Sequence, residues 1–287
     1  MKEAKIVLLG IFDGVHIGHA ALIDAALELK RETGLPIVMY TFSSNPKSSR
    51  LIHTDERKAA VAADMGVDEV YFEEFTQDIK EMLCEDFVRK ILDEKLLAKY
   101  VIVGENYRFG YNRAGSARRL KTICARRGIE VVIVPTVKRV SSSRIRNMIE
   151  GGRIEDANKL LSREFCVTGT VAHGSKVGRI LGFCTANLPL PPGGVIPKSG
   201  VYFTNAEIGG ARYDSITNVG TKPTFGGNGI TAETHIFDFD KELYGQTITV
   251  YFLKCAREER RFNSADELKA QINRDMRRAK IYFEGRK

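Results

Sequence analysis

The apolar residues change their repeat near residue 162, and that change constrains the fold more than any other feature. Before it, short β-branched runs at Lys5–Leu9, Ile37–Phe42, Val67–Phe72, Tyr100–Val103 and Ile129–Val134 alternate with helical stretches at 18–32, 55–65, 84–97, 114–127 and 143–150. Strand–helix alternation predicts an α/β doubly wound domain, a parallel sheet with helices on both faces. Beyond residue 162, strands are expected at Phe165–Val171, Gly200–Ile208, Ala211–Val219, Ala232–Phe237 and Thr247–Phe252. Gly and Pro punctuate them at 189–194, 209–210 and 220–227, which predicts a small antiparallel β-barrel. Ser264 then opens a terminal helix running through Arg278, with Glu267 at the capping-box spacing. Gly151–Gly152 and a short helix at 153–160 mark the boundary between a domain of residues 1–161 and one of residues 162–287.

Composition narrows the setting. Of 287 residues, 43% are hydrophobic and 28% charged, so both domains can bury a core and a disordered chain is excluded. No apolar run is long enough to span a membrane, and the first apolar run reaches an acid at Asp13 too soon for a secretory signal. The five cysteines, Cys84, Cys124, Cys166, Cys184 and Cys255, are scattered and contain no CxxC, which suits reduced thiols in the cytoplasm and argues against a zinc site. The net charge of +8 fits an anionic small molecule or weak nucleic-acid contact and does not choose between them.

Ligands of a doubly wound sheet bind beyond the carboxyl ends of its strands. The first such loop reads Gly10-Ile11-Phe12-Asp13-Gly14-Val15-His16-Ile17-Gly18-His19 and leads into a helix. Gly10, Gly14 and Gly18 are expected to let the backbone turn sharply and approach a ligand. The helix start offers N–H groups and partial positive charge to a phosphate. His16 and His19, three apart, face one side of that start and can donate to phosphate oxygens. A structural histidine pair in a Gly-rich turn is the alternative.

This segment resembles the HxGH signature of the Rossmann-like nucleotidyltransferases, and the longer string is similar to the adenylyltransferase half of the bacterial bifunctional riboflavin kinase/FAD synthetase family. Three further blocks resemble that half: Thr41-Phe42 through Pro46, Val103 through Gly110, and Ser141 through Arg146. The resemblance implies catalytic roles for His16 and His19. It implies ATP contacts from Gly10, Phe12, Asp13, Gly14, Gly18, Ser142, Ser143 and Arg146, and flavin contacts from Asn106 and Phe42. The chain departs from the family at Asn45, which stands where a His is usual, and at Asn106, which replaces an Asp.

In the second half, residues 169–179 are rich in Gly and basic side chains but order Ser175 before Lys176, which excludes a Walker A loop. Arg179 through Leu188, Asn218 through Phe225, Glu233 through Phe239 and Tyr244-Gly245 resemble four riboflavin kinase blocks in order. The resemblance implies ATP contacts from Gly174, Gly178, Arg179 and Gly182, Mg²⁺ held by Thr185 and Asn187, and Glu233 as general base. A hydroxyl and an amide oxygen two residues apart on an extended strand suit a hard cation. Cys184 replaces a Pro just before these ligands and removes its stiffening.

The implied function is FAD biosynthesis: riboflavin phosphorylation in the barrel, then adenylyl transfer from a second ATP to FMN. The partners expected are riboflavin, FMN and ATP with Mg²⁺, and neither membrane nor nucleic acid. A FAD synthetase whose barrel has become a flavin-binding module is the alternative, resting on Cys184. An RNA-binding protein, resting on the basic stretch at 106–129 and the basic tail, lacks any interleaved aromatic motif.

Overall fold

The computed structural model describes residues 4–43, 50–172, 185–190, 193–224 and 227–286. Asn45, Pro46, Gly174, Ser175, Lys176, Gly178, Arg179, Gly182 and Cys184 lie outside them. The chain divides into two compact units, Met1–Ser142 and Ser143–Lys287.

In the first unit, β1 (Lys5–Leu9), α1 (Ile17–Thr33), β2 (Ile37–Phe42), α2 (Asp55–Asp64), β3 (Glu69–Glu73), α3 (Gln77–Glu81), α4 (Cys84–Asp86) and β4 (Ala98–Gly104) follow in order. The short strands β5 (Arg108–Phe109) and β6 (Gly115–Ser116), then α5 (Ala117–Ala125) and β7 (Glu130–Val134), complete it. The five long strands form a parallel sheet in the order β3-β2-β1-β4-β7. Strand alternation sorts the side chains. Ile6, Leu8, Ile37, Met39 and Ile102 pack with Leu22, Ile23, Ala26 and Val61 on one face. Val7, Leu9, Val38, Tyr40, Val101 and Val103 pack with Val88, Ile91, Leu92 and Leu120 on the other. Both faces are therefore covered, as parallel sheets require. Chain progression reverses between β1 and β4, and that is where such a sheet opens a crevice.

Two helices differ from expectation. Residues 84–97 form α4 and then a π-helix, Phe87–Lys95, whose wide turn is closed by Leu96 N–H donating to Ile91 O at 2.9 Å. Leu97, with φ 53°, stops it. The stretch predicted from 114 becomes helical only at Ala117, because Gly115 and Ser116 first pair with Phe109 and Arg108. A Cβ on Gly115 would lie 2.4 Å from the Phe109 ring, so only glycine fits there. Ser116 then caps α5, its Oγ accepting from Arg119 N–H at 3.2 Å.

In the second unit, α6 (Ser142–Glu150, whose first residue ends the first unit) and α7 (Ile154–Leu161) precede the strands β8 (Phe165–Thr170), β9 (Ala186–Pro189), β10 (Gly200–Ile208), β11 (Ala211–Thr224), β12 (Gly227–Ile236) and β13 (Thr247–Glu258) and the helix α8 (Ala265–Glu284). These strands form an antiparallel sheet in the order β8-β13-β10-β11-β12-β9. Its ends approach where Ala172 N–H donates to Asn187 O at 2.9 Å, so the barrel is nearly closed. Tyr202, Phe165 and Phe252 are fully buried. So are Thr204, Ser215, Thr217 and Thr234, whose hydroxyls bond in a chain of 2.8, 2.8 and 2.9 Å contacts that satisfies each of them. The apolar stripe of α8 (Ala279, Phe283) lies on Val201, Phe203, Ile216, Phe237 and Leu253. Asn158 fixes α7 to the barrel, donating to Phe252 O and accepting from Phe165 N–H, each at 2.8 Å.

The turn expected at 220–227 is strand for most of its length, since β11 runs to Thr224 and β12 starts at Gly227. A two-stranded arm is held by backbone ladder bonds, so its residues need no apolar alternation. The terminal helix also runs past Arg278 to Glu284, carried by the burial of Ala279 and Phe283.

Candidate active sites

The loop between β1 and α1 bends through three left-handed residues in four: Phe12 (φ 49°), Gly14 (φ 82°) and Val15 (φ 40°). Glycine takes such a conformation freely. A β-branched valine does not, and it costs about 1–3 kcal/mol. The surroundings enforce it. Phe12 and Val15 are fully buried, and Val15 N–H donates to Phe12 O at 3.2 Å. Asp13 is buried too, with Oδ1 accepting from Ile52 N–H at 2.8 Å and its carbonyl accepting from Ser142 Oγ at 2.9 Å. Thr41 Oγ1 donates to Ile11 O at 2.8 Å, tying the loop to the end of β2. The loop is thus strained and pinned from three sides, as functional turns often are.

His16 takes the N-cap position of α1 with extended backbone, and its side chain makes no cap bond to the helix. Its ring stacks on His19 with centroids 3.7 Å apart and planes 10° apart. The Phe12 ring lies 5.1 Å from His19. Of the three glycines expected to bend the backbone, only Gly14 has positive φ. Gly10 and Gly18 serve by lacking a side chain. A Cβ on Gly10 would lie 3.0 Å from the Phe12 ring, and one on Gly18 would lie 3.1 Å from the His16 ring. Gly18→Ala should therefore push the His16 ring aside, and on the catalytic role the resemblance implies for His16, adenylyl transfer should slow about tenfold, since misplacing a reacting group is costly. Rates of both activities in one preparation check this, because the barrel's reaction should be unchanged.

The loop after β4 carries Asn106, which is exposed. A Cβ on Gly104 would lie 3.3 Å from Asn106 Oδ1. Glu105 accepts from Thr136 N–H at 3.1 Å and joins the β4 and β7 loops. Phe42, half-buried, meets Phe75 edge-on at 5.1 Å. Tyr107 stacks on Phe109 at 5.9 Å, and burial pushes its phenol above the ordinary tyrosine range. Burial likewise pushes the Cys124 thiol up to about 12, which keeps it neutral. Ser142 and Ser143 begin α6, where the sequence placed them. Ser142 spends its hydroxyl on Asp13, while Ser143 Oγ accepts from buried Arg146 at 3.0 Å.

In the barrel, Asn187 of β9 stands directly opposite Glu233 of β12, and Glu233 stands opposite Asn218 of β11. Opposed residues of an antiparallel ladder project to the same face, so the carboxylate sits between two carboxamides. Asn187 Nδ2 donates to Thr185 O at 3.3 Å. The donor set of Thr185, Asn187 and Glu233 contains hydroxyl, amide and carboxylate oxygens, which fits Mg²⁺. Sequence reasoning named Asn218 only as the start of a block. Its pairing with Glu233 is a fact of register that spacing along one strand does not reveal. A Cβ on Gly220 would lie 3.2 Å from Glu259 Oε1 and 3.6 Å from Asn218 Nδ2, so glycine leaves room for both side chains.

Comparison with known proteins covers both sites. A family model described as FAD synthetase matches residues 1–147, and one described as riboflavin kinase matches residues 161–283. A bifunctional riboflavin kinase/FMN adenylyltransferase from Pseudomonas fluorescens is 35% identical, with 96% of this chain and 92% of that protein covered. The Escherichia coli K12 protein of the same name is 33% identical, covering 98% and 94%. A solved structure described as a macrolide-efflux protein from Streptococcus pneumoniae matches with a TM-score of 0.89 and 32% identity over 98% of this chain and 95% of that one. Among the described residues, no helix is long and apolar enough to cross a membrane. The chain belongs to the family of bifunctional riboflavin kinase/FMN adenylyltransferases.

Proposed function

We propose that the two reactions of this family are divided between the two sites just described, adenylyl transfer in residues 1–161 and riboflavin phosphorylation in residues 162–287. The enzyme is a bifunctional transferase that makes FMN from riboflavin and ATP and then joins FMN to AMP, releasing pyrophosphate. One observation carries the division: the turn with His16 and His19 lies within the first compact unit and the FAD synthetase match, while Thr185, Asn187 and Glu233 lie within the second unit and the riboflavin kinase match.

In the first site, an FMN phosphate oxygen attacks the α-phosphorus of ATP, and the bond to pyrophosphate breaks. The main chain of Gly10–Val15 and the start of α1 receive the triphosphate. His16 and His19 donate to the oxygens on which charge builds. Asp13 and Ser142 hold the turn in shape, since their polar groups engage Ile52 N–H and the Asp13 carbonyl. Asn106 and Phe42 face the flavin.

In the second site, Thr185 and Asn187 would hold Mg²⁺, which when bound neutralises charge on the ATP phosphates. Glu233 takes the proton of the riboflavin 5′-hydroxyl as the γ-phosphoryl moves to that oxygen and ADP leaves. Asn187 and Asn218, on either side, orient the carboxylate. The riboflavin kinase match across the barrel supports an active kinase over a degenerate flavin-binding module. We place the reactions in the cytoplasm, where free thiols and nucleotide substrates coexist.

Incubating the protein with riboflavin, ATP and Mg²⁺ and separating the products by chromatography tests this reading. FMN followed by FAD is expected. FMN without FAD would remove the first assignment, and no conversion would remove both.

A further inference from the structure

Lys58 breaks the pattern of its helix. On α2 the buried face is drawn by Val61 and Ala62, and Lys58 falls on it three and four residues earlier. Its side chain is 1% exposed. An ammonium taken out of water is costly unless it is bonded, and an apolar residue in its place would usually serve stability as well or better. Local rules of this kind are broken chiefly at functional sites.

The bonds of Lys58 say what it does. Nζ donates to Phe42 O at 3.1 Å and to Asp55 Oδ1 at 3.3 Å, and it lies 5.3 Å from the centre of the Phe72 ring. Phe42 is the last residue of β2, where the chain leaves the sheet. A carbonyl at a strand end is free to rotate unless something claims it. Here a buried cation claims it, while one residue back Thr41 Oγ1 holds Ile11 O at 2.8 Å. The following Ser43 N–H donates to Glu73 O at 3.1 Å. The Phe42 carbonyl and the residues on either side of it are thus held, and its ring meets Phe75 and Tyr40 edge-on.

We infer that Lys58 is a positioning residue for adenylyl transfer: its buried ammonium sets the end of β2 so that Phe42 meets the flavin of FMN. This rests on the assignment of the first site to FAD formation. The residue touches neither substrate, so its loss should weaken FMN capture without slowing the chemical step.

The test is Lys58→Met in the full-length enzyme, with both activities measured. The KM for FMN in FAD formation should rise about tenfold, the scale of one lost charge-assisted hydrogen bond. The kcat, the KM for ATP and riboflavin phosphorylation should stay within about twofold. A fall in kcat with the KM for FMN unmoved would overturn the inference, as would no change at all. Lys58→Arg, which keeps a cation near the Phe42 carbonyl, should recover most of the affinity. The Phe42→Leu background supplies a second reading: there Lys58→Met should add little, because the two residues act as one unit. Additive losses would contradict the inference. If Lys58→Met and Lys58→Gln both lose the fold of the first unit, the lysine is structural and the inference falls. A parent enzyme that forms no FAD would instead refute the assignment of the site.

Discussion

With His16 and His19 both changed to alanine, FAD formation from supplied FMN should fall by at least 10³-fold while riboflavin is still converted to FMN at the parent rate. In the proposed reaction each imidazole is a donor beside a helix N-terminus, and losing one such donor at a developing charge typically costs 10²–10³ in rate. The two rings are stacked at 3.7 Å at the same helix start, so in the proposed reaction they would serve one phosphate cluster. The fold should survive, because the His16 side chain does not cap α1 and the turn is held by Asp13, Thr41 and Ser142. Discontinuous assays of the two steps, with the melting transition recorded alongside, measure this. Loss of both activities in a folded protein would contradict the division of labour.

Glu233→Gln should show the opposite pattern: FMN formation lowered about 10²–10⁴-fold and FAD formation from supplied FMN unchanged. The substitution keeps the size and the ladder pairing with Asn187 and Asn218 and removes only the proton acceptor. Placement and metal charge do most of the work in phosphoryl transfer, so a residual rate is expected. An inactive adenylyltransferase in this variant would mean that the barrel carboxylate serves both reactions. Full kinase activity would exclude Glu233 as the base.

Much of this was legible in the sequence because it is local. The strand boundaries Lys5–Leu9, Ile37–Phe42 and Gly200–Ile208 follow from runs of β-branched residues bounded by polar or glycine positions. The histidine pair is readable because three residues on a helix are neighbours. What the sequence hides is set by partners far along the chain. Gly10 and Gly18 look like hinges and instead make room for the rings of Phe12 and His16. Asp13, to which the resemblance gives an ATP contact, also accepts a bond from a backbone N–H thirty-nine residues away, which spacing does not reveal. Asn218 gains its meaning only from the β11–β12 register. The burial of Lys58 shows only once the helix is laid on the sheet. Gly174, Gly178, Arg179 and Gly182 fall outside the described residues and keep their proposed ATP contacts.

Mixing the two variants tests the two-site account most directly. The His16→Ala/His19→Ala protein should still make FMN, and the Glu233→Gln protein should still adenylylate it. Given riboflavin, ATP and Mg²⁺, neither alone should yield appreciable FAD, and the mixture should yield it, passing FMN through solution. A mixture of folded proteins that remains silent, although each performs its own half-reaction on supplied substrate, would contradict free passage of FMN between the sites. FAD from either variant alone at the parent rate would contradict the residue assignments themselves.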